Sequence, residues 1–161
     1  MPPQPVDPLT FRAALGCFAS GITVITVRDA SGADHGMTVS AFCSLSLEPP
    51  LVLACIGHEA TLAGALALAE SFGVSVLAQD QVALSRRFAE PDADRFDGTG
   101  LARGVLGDAL LPEALAHLEC RITARHEGGD HTIVVGEVIS ADARDGPALV
   151  HFRGAYVRMK E

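Results

Sequence analysis

A chain of 161 residues and 16.8 kDa has the size of one domain, since domains run roughly 100–200 residues. It is 48% hydrophobic, yet no apolar run approaches the roughly 18–20 residues that span a bilayer; this excludes a helical membrane protein and leaves apolar surface for a core and for contacts between subunits. The formal net charge of −8 argues against a nucleic-acid partner, because proteins that bind phosphate backbones carry a basic patch or excess.

The start, MPPQPVDPLTF, has neither a basic beginning nor a long apolar stretch, so it reads as a loose tail over 1–7 and not as a secretory signal. A helix is predicted from residue 8. Asp7 can cap it, Pro8 suits the first helical position, and Phe11, Ala14, Leu15 and Phe18 share a face, with Gly21 ending it. ITVITV (22–27) is β-branched and apolar on both faces, as in a strand buried on both sides. DASGAD (29–34) turns the chain and HGMTVSAFCSLS (35–46) returns as one strand. Pro49 and Pro50 reset the chain into a further strand, LVLACI (51–56).

The stretch 59–69 has helical spacing in Leu62, Leu66 and Ala69, 72–77 is again strand, and 80–90 reads as a short amphipathic helix with Leu84 and Phe88 four apart. Residues 91–112, rich in Gly, Asp and Ala, read mostly as loop, with Asp92 and Asp94 solvated beside Arg95. In 118–126, Glu119, Arg121, Thr123 and Arg125 alternate with Leu118, Cys120, Ile122 and Ala124, the period of a half-buried strand. Residues 128–130 turn it, 131–141 run back, and short strands at 148–152 and 155–159 close the chain. Roughly six or seven strands, mostly joined as hairpins, with two or three helices predict a largely antiparallel barrel with helices at its ends.

Several chemistries are absent from the motifs. There is no phosphate loop, no G-x-G-x-x-G after a strand and no G-x-S-x-G elbow. The six histidines have no zinc spacing, so no metal site is read. Cys17, Cys43, Cys55 and Cys120 show no C-x-x-C pairing and are read as reduced thiols, mostly in apolar surroundings, in a cytoplasmic protein. What chemistry there is must be carried by a bound cofactor.

Three stretches carry a resemblance. FASGITVITVRDASGADHGMTVSAFCSLSLEPPLVLACI (18–56), SFGVSVLAQDQVALSRRFA (71–89) and LECRITARHEGGDHTIVVGEV (118–138), with HFRGAY (151–156) near the end, resemble the short-chain flavin reductase family over roughly residues 10–160. The resemblance implies an FMN-binding split β-barrel, mainly β with helices at the barrel ends. It implies hydride transfer from NADH or NADPH to FMN or FAD, reduced flavin supplied to a flavin-dependent monooxygenase, and a homodimer with the flavin cleft at its interface.

By the same resemblance Thr38, Val39, Ser40 and Ala41 face the ring after Met37, and Ser44 and Ser46 lie near the ribityl chain and phosphate. Cys55 and Ile56 run along the adjoining strand, Thr61 reaches the phosphate, and Ser75 and Tyr156 flank the site. His131 lies nearest the nicotinamide. The physics agrees: a flavin's dimethylbenzene edge wants an apolar wall, and its pyrimidine edge wants donors that stabilise the charge of the reduced ring.

Two departures stand out. The loop after 51–56 reads Gly57-His58-Glu59-Ala60-Thr61, placing an acid where the family often has serines or a base, and the family's usual Asn is Ser75. Residue by residue, plainer readings stand beside these. His131 can be a turn histidine bonded within its own hairpin, Thr38 and Ser40 ordinary strand hydroxyls, Arg86 and Arg87 a solvated helix face or phosphate ligands, and Tyr156 a packing residue. A reductase of another acceptor and a non-catalytic flavin- or haem-binding barrel are the alternatives; the Gly-Asp-His hairpin favours the reductase.

Overall fold

The computed structural model describes residues 1, 3–91 and 94–159. In chain order the elements are α1 (Pro8–Leu15), β1 (Ser20–Gly21), β2 (Thr23–Arg28), β3 (Asp34–Val39), β4 (Phe42–Ser46), β5 (Leu51–Gly57), α2 (Ala63–Leu68) and β6 (Ser71–Val76). There follow α3 (Val82–Ala89), β7 (Ala102–Arg103), β8 (Ala109–Leu110), β9 (Ala116–Gly128), β10 (His131–Ala143), β11 (Val150–Phe152) and β12 (Ala155–Val157).

Seven strands form one antiparallel sheet in the order β3-β2-β6-β9-β10-β5-β4. Its two edge strands, β3 and β4, are consecutive in the chain and only Ser40 and Ala41 separate them. The sheet therefore curls until its edges nearly meet. They do not pair with each other, so a seam runs down the barrel where residues 40 and 41 cross. This is the expected split barrel.

Alternation along each strand sends one set of side chains inward and the other outward. Ile25, Val39, Ala54, Ile56, Phe72, Val74 and Val134 fill the interior with Leu62 and Leu66 from the α2 end. On the outside of β2 and β6, Ile22, Val24, Leu77, Phe88, Leu111 and Leu149 form a second cluster beneath α3 and the 94–115 segment. β2 is thus buried on both faces, as its apolar run requires, and its one outward hydroxyl is satisfied by Thr26 Oγ1 donating to the Ala109 carbonyl at 2.6 Å. Two glycines allow this outer layer to sit close. A Cβ on Gly36 would lie 2.8 Å from Phe96 and 2.9 Å from Phe88, and one on Gly73 would lie 2.7 Å from Thr26 Oγ1.

Four expectations are corrected. The first helix ends at Gly16, whose N–H closes on the Arg12 carbonyl at 2.8 Å, and Gly21 belongs to β1. The expected single strand over 35–46 breaks at Ser40-Ala41 because the chain there changes from one sheet edge to the other. The predicted helix over 59–69 narrows to Ala63–Leu68, with Thr61 ahead of its Leu62 cap. Glu119, expected on a solvated face, is 1% exposed. Its carboxylate accepts from the Val105 and Leu106 N–H groups, the latter at 2.9 Å, in a tight turn where a Cβ on Gly104 would overlap it.

The cysteines are all free thiols, but the expected apolar surroundings hold fully for Cys120 alone; Cys55 is half-buried and Cys17 and Cys43 are exposed. Burial pushes the Cys120 thiol up to about 12, which makes it inert.

Candidate functional site

The seam concentrates unsatisfied polarity. Ala41 extends the ladder by accepting from Cys55 N–H at 2.9 Å, and Ser40 accepts from Phe42 N–H at 3.0 Å. Both carbonyls are therefore used. Among the described residues nothing accepts a hydrogen bond from the N–H of Ser40 or of Ala41, and both residues are exposed. Two adjacent backbone donors at a barrel opening are a fixed partial positive charge, suited to an anionic or strongly polar ring edge.

Beside these donors, Thr38 Oγ1 donates to the Ser85 carbonyl at 2.6 Å, and Ser85 Oγ lies 2.8 Å from the Tyr156 hydroxyl. The Arg86 guanidinium sits 5.7 Å over the Tyr156 ring. This chain of contacts ties β3 to α3 and to β12, and it brings Thr38 and Tyr156 into one cluster. Ser85 and Arg86 complete it. The Leu84–Phe88 spacing is the sequence signal that could have found Ser85, since it fixes the buried face of α3. Arg87 has a different task, its Nη2 donating to the Asp94 and Asp97 carbonyls at 2.6 Å each.

On the other side of the seam, His131 opens β10 opposite Gly57. Its Nδ1 lies 2.7 Å from Asp130 Oδ1, and its ring passes over Gly57, where a Cβ would sit 3.6 Å from Nε2. That hydrogen bond holds the Asp130 carboxyl below the usual range. With Nδ1 donating to the carboxylate, Nε2 of this half-exposed imidazole has no hydrogen-bond partner among the described residues. The turn hydrogen bond and a site role are therefore compatible, because they use different nitrogens.

The remaining candidates divide by orientation. Ser44 is exposed and Ser46 half-buried on the edge strand β4, and Cys55 lies half-buried on the outer face beside Ala41. Val39 and Ile56 are 4% and 1% exposed with side chains in the interior cluster, so these two offer a ligand chiefly backbone atoms, while Met37 is half-buried against that cluster. Ser75 is fully buried, its hydroxyl accepting from Leu111 N–H at 3.0 Å, and it stands apart from the seam.

Thr61 lies in a cleft of about 370 Å³ at the barrel end, together with Gly36, Leu62, Pro91, Arg95 and Phe96. Its hydroxyl accepts from Arg95 Nη1 at 3.2 Å. Arg95, expected in a solvated acidic loop, is 7% exposed; the Asp92 of that reading lies outside the described residues. A loop arginine with no periodic pattern around it gives no sequence signal of burial.

The Flavin reductase like domain model matches residues 15–160 of this chain. An NADH-dependent flavin reductase of Rhodococcus sp is 43% identical over 157 residues, covering 94% of this chain and 86% of that protein. The reductase component of 4-nitrophenol 4-monooxygenase/4-nitrocatechol 2-monooxygenase from Rhodococcus opacus is 39% identical, covering 95% and 82%. The solved NADH:FAD oxidoreductase SgcE6 of Streptomyces globisporus C-1027, in complex with NAD and FAD fragments, superposes with a TM-score of 0.91 at 39% identity, covering 98% of each chain. Among the described residues no helix is long and apolar enough to cross a membrane.

Proposed function

The chain belongs to the flavin reductase family, and from that premise we propose how its one domain works. It is an NAD(P)H-dependent flavin reductase that passes a hydride from NADH or NADPH to FMN or FAD and supplies reduced flavin to a partner monooxygenase. The observation that carries the site assignment is the pair of open donors at Ser40 and Ala41, set in the seam between β3 and β4. The residues present fit a flavin: open donors for the pyrimidine edge, the Thr38–Ser85–Tyr156 cluster beside them, and an orphaned Arg95 Nε in the adjoining cleft.

A bound flavin would supply the hydride acceptor and the dinucleotide the hydride. The chain's own groups orient and stabilise. The Ser40 and Ala41 N–H groups would hold the polar edge of the ring, and they are fixed in place by the backbone, so little reorganisation would be needed. Thr38 and Tyr156, held by Ser85, form the polar wall beside it. His131 offers Nε2 to the dinucleotide while Asp130 fixes its ring. Thr61 contacts a phosphate, and exposed Glu59 is far enough into solvent for its charge to be screened.

NADH oxidation followed at 340 nm should be fast only with FMN or FAD added. A rate equal with and without flavin would reject the assignment. Running both flavins and both nicotinamides in the same assay decides the preferred pair.

The reading also includes a homodimer. Leu53 and Cys55 of β5 and Ile133 of β10 lie half-buried on the outer sheet face, Leu45 and Leu47 at the β4 edge are 49% and 85% exposed, and Phe18 is 77% exposed. The helices pack chiefly against β2 and β3 and leave this face open. A second copy of the chain is the occupant that closed symmetry favours. Light scattering is expected to give about twice 16.8 kDa, and Leu53→Glu to give a monomer with impaired flavin binding. A wild-type monomer with full activity would contradict the dimer. Four free thiols accord with a cytoplasmic enzyme.

A further inference from the structure

We propose that the mouth of the barrel beneath α2 is a binding pocket for a small single-ring phenol, separate from the seam. The assignment is independent of the reductase reading, and the size, lining and hydrogen-bonding capacity of the pocket carry it.

The pocket has a volume of about 190 Å³ and lies between α2, β5, β9 and β10. Strand register explains its lining. Ile56 pairs with Thr132, Thr132 with Glu127 and Val134 with Arg125, and directly opposed residues share a face of the sheet. Ile56 and Val134 belong to the interior cluster, so Thr132, Arg125 and Glu127 stand on the inner side too, at the end that α2 covers. The face carrying Cys55 and Ile133 is the opposite one. Over the pocket α2 places Leu66 with Ala63 and Ala67. Two methyl groups there leave a gap that longer side chains would fill.

The floor is apolar and loosely packed. Behind Leu66 and Val134 lies a further void, lined also by Ile25, Ala54 and Phe72, with no room for a water molecule. Such a void deprives its walls of dispersion contacts, and an apolar cavity of about 150 Å³ stays dry and takes up benzene. At about 190 Å³ the mouth fits one benzene-sized ring with a small substituent, in a place where barrels commonly bind such ligands.

The rim selects the substituent. Thr132 is half-buried, and its hydroxyl has no hydrogen-bond partner among the described residues. Arg125 donates from Nε and Nη2 to the Leu66 carbonyl, at 3.3 and 2.9 Å, and from Nη2 to the Ala69 carbonyl. These bonds fix the guanidinium across the end of α2 and leave its Nη1 without a partner among the described residues. Glu127 adds an exposed carboxylate 3.5 Å from His58 Nε2. The rim therefore combines a cationic donor, an anionic acceptor and a free hydroxyl. A phenol hydroxyl can accept from Arg125 and donate to an oxygen at once, whereas a carboxylate only accepts and would face Glu127.

Methyl-resolved NMR of the flavin-saturated chain tests the pocket, with phenol, benzene and benzoate as probes and the methyl signals of Ile56, Leu66 and Val134 as reporters. Phenol is expected to shift these signals saturably at one site per chain, with benzene and benzoate binding more weakly. Thr132→Val should weaken phenol roughly two- to ten-fold, the worth of a neutral hydrogen bond, and leave benzene unmoved. Ala67→Leu, at an exposed helix position, should fill the mouth and abolish both while flavin-dependent NADH oxidation continues at the wild-type rate. If that variant does not fold, the split between phenol and benzene in Thr132→Val decides alone. No saturable shift at millimolar phenol, benzoate binding as tightly as phenol, phenol unmoved by Thr132→Val, or shifts that persist in a folded Ala67→Leu would each overturn the pocket. A chain that binds no flavin would end the reductase reading instead, and the same titrations would then be read on the free protein.

Discussion

Phe88→Ala is expected to cost about 3–5 kcal/mol of unfolding free energy, the range for truncating a fully buried phenylalanine. Phe88 is 0% exposed, meets Phe96 edge-on and covers the backbone of Gly36. It is the largest fully buried side chain of the outer cluster, and the other apolar residues that α3 sends there, Val82 and Leu84, are only partly buried. Set against a total stability of roughly 5–15 kcal/mol for a domain, the loss is large. The consequence for function comes through position. α3 carries Ser85, which holds Thr38 and Tyr156 at the seam, and the loop after it carries Arg95. Denaturant unfolding of the variant should show a reduced midpoint with a similar slope, and its flavin affinity should fall even at low denaturant. An unchanged midpoint would mean that the outer cluster is not a structural layer.

His131→Ala is expected to lower kcat/KM for NADH by a few-fold to about a hundred-fold. The lower end corresponds to losing a neutral hydrogen bond worth about 0.5–1.5 kcal/mol, and the upper end to a charge-assisted one worth about 1.5–3. The ring is held by Asp130 and lies over Gly57, so its Nε2 has a defined position outside the barrel. Removing it takes nothing from the core, and flavin affinity should change little. Thr38→Val should act in reverse, weakening flavin first, because the Thr38 hydroxyl ties β3 to Ser85 in the polar cluster. Steady-state kinetics with each substrate varied in turn separates the two. If His131→Ala leaves the NADH parameter within error of wild type, the histidine serves its own turn alone.

Much of the barrel was legible because its strands obey simple periodicities. The alternation over 118–126 and the β-branched run over 22–27 placed β9 and β2, and Leu84 with Phe88 placed α3. The same alternation misled at Glu119. A polar residue every second position reads as a solvated face, but here the outer face of β6 and β9 is roofed by the 104–109 segment, which has no period of its own. Arg95 was missed for the same reason. Its burial is created by a loop folding over Gly36, a tertiary event with no local signature.

Site residues divided likewise. The motif 37–41 led to the seam, but alternation decides which of its side chains can serve. Val39 points into the barrel and Thr38 out of it. The open N–H groups of Ser40 and Ala41 follow from a change of sheet edge, which side-chain patterns do not report. Ser75, carried over from the family motif, sits on the outer face of β6 under Leu111, where its hydroxyl is already used.

Anaerobic mixing of the protein with FMN or FAD and a limiting amount of NADH tests the central claim most directly, with absorbance followed at 340 and 450 nm together. The account predicts that both bands fall at one rate, with one flavin reduced for each NADH consumed, and that the rate depends on the protein. Loss of the 340 nm band without bleaching at 450 nm, or a flavin reduction no faster than in buffer alone, would contradict it.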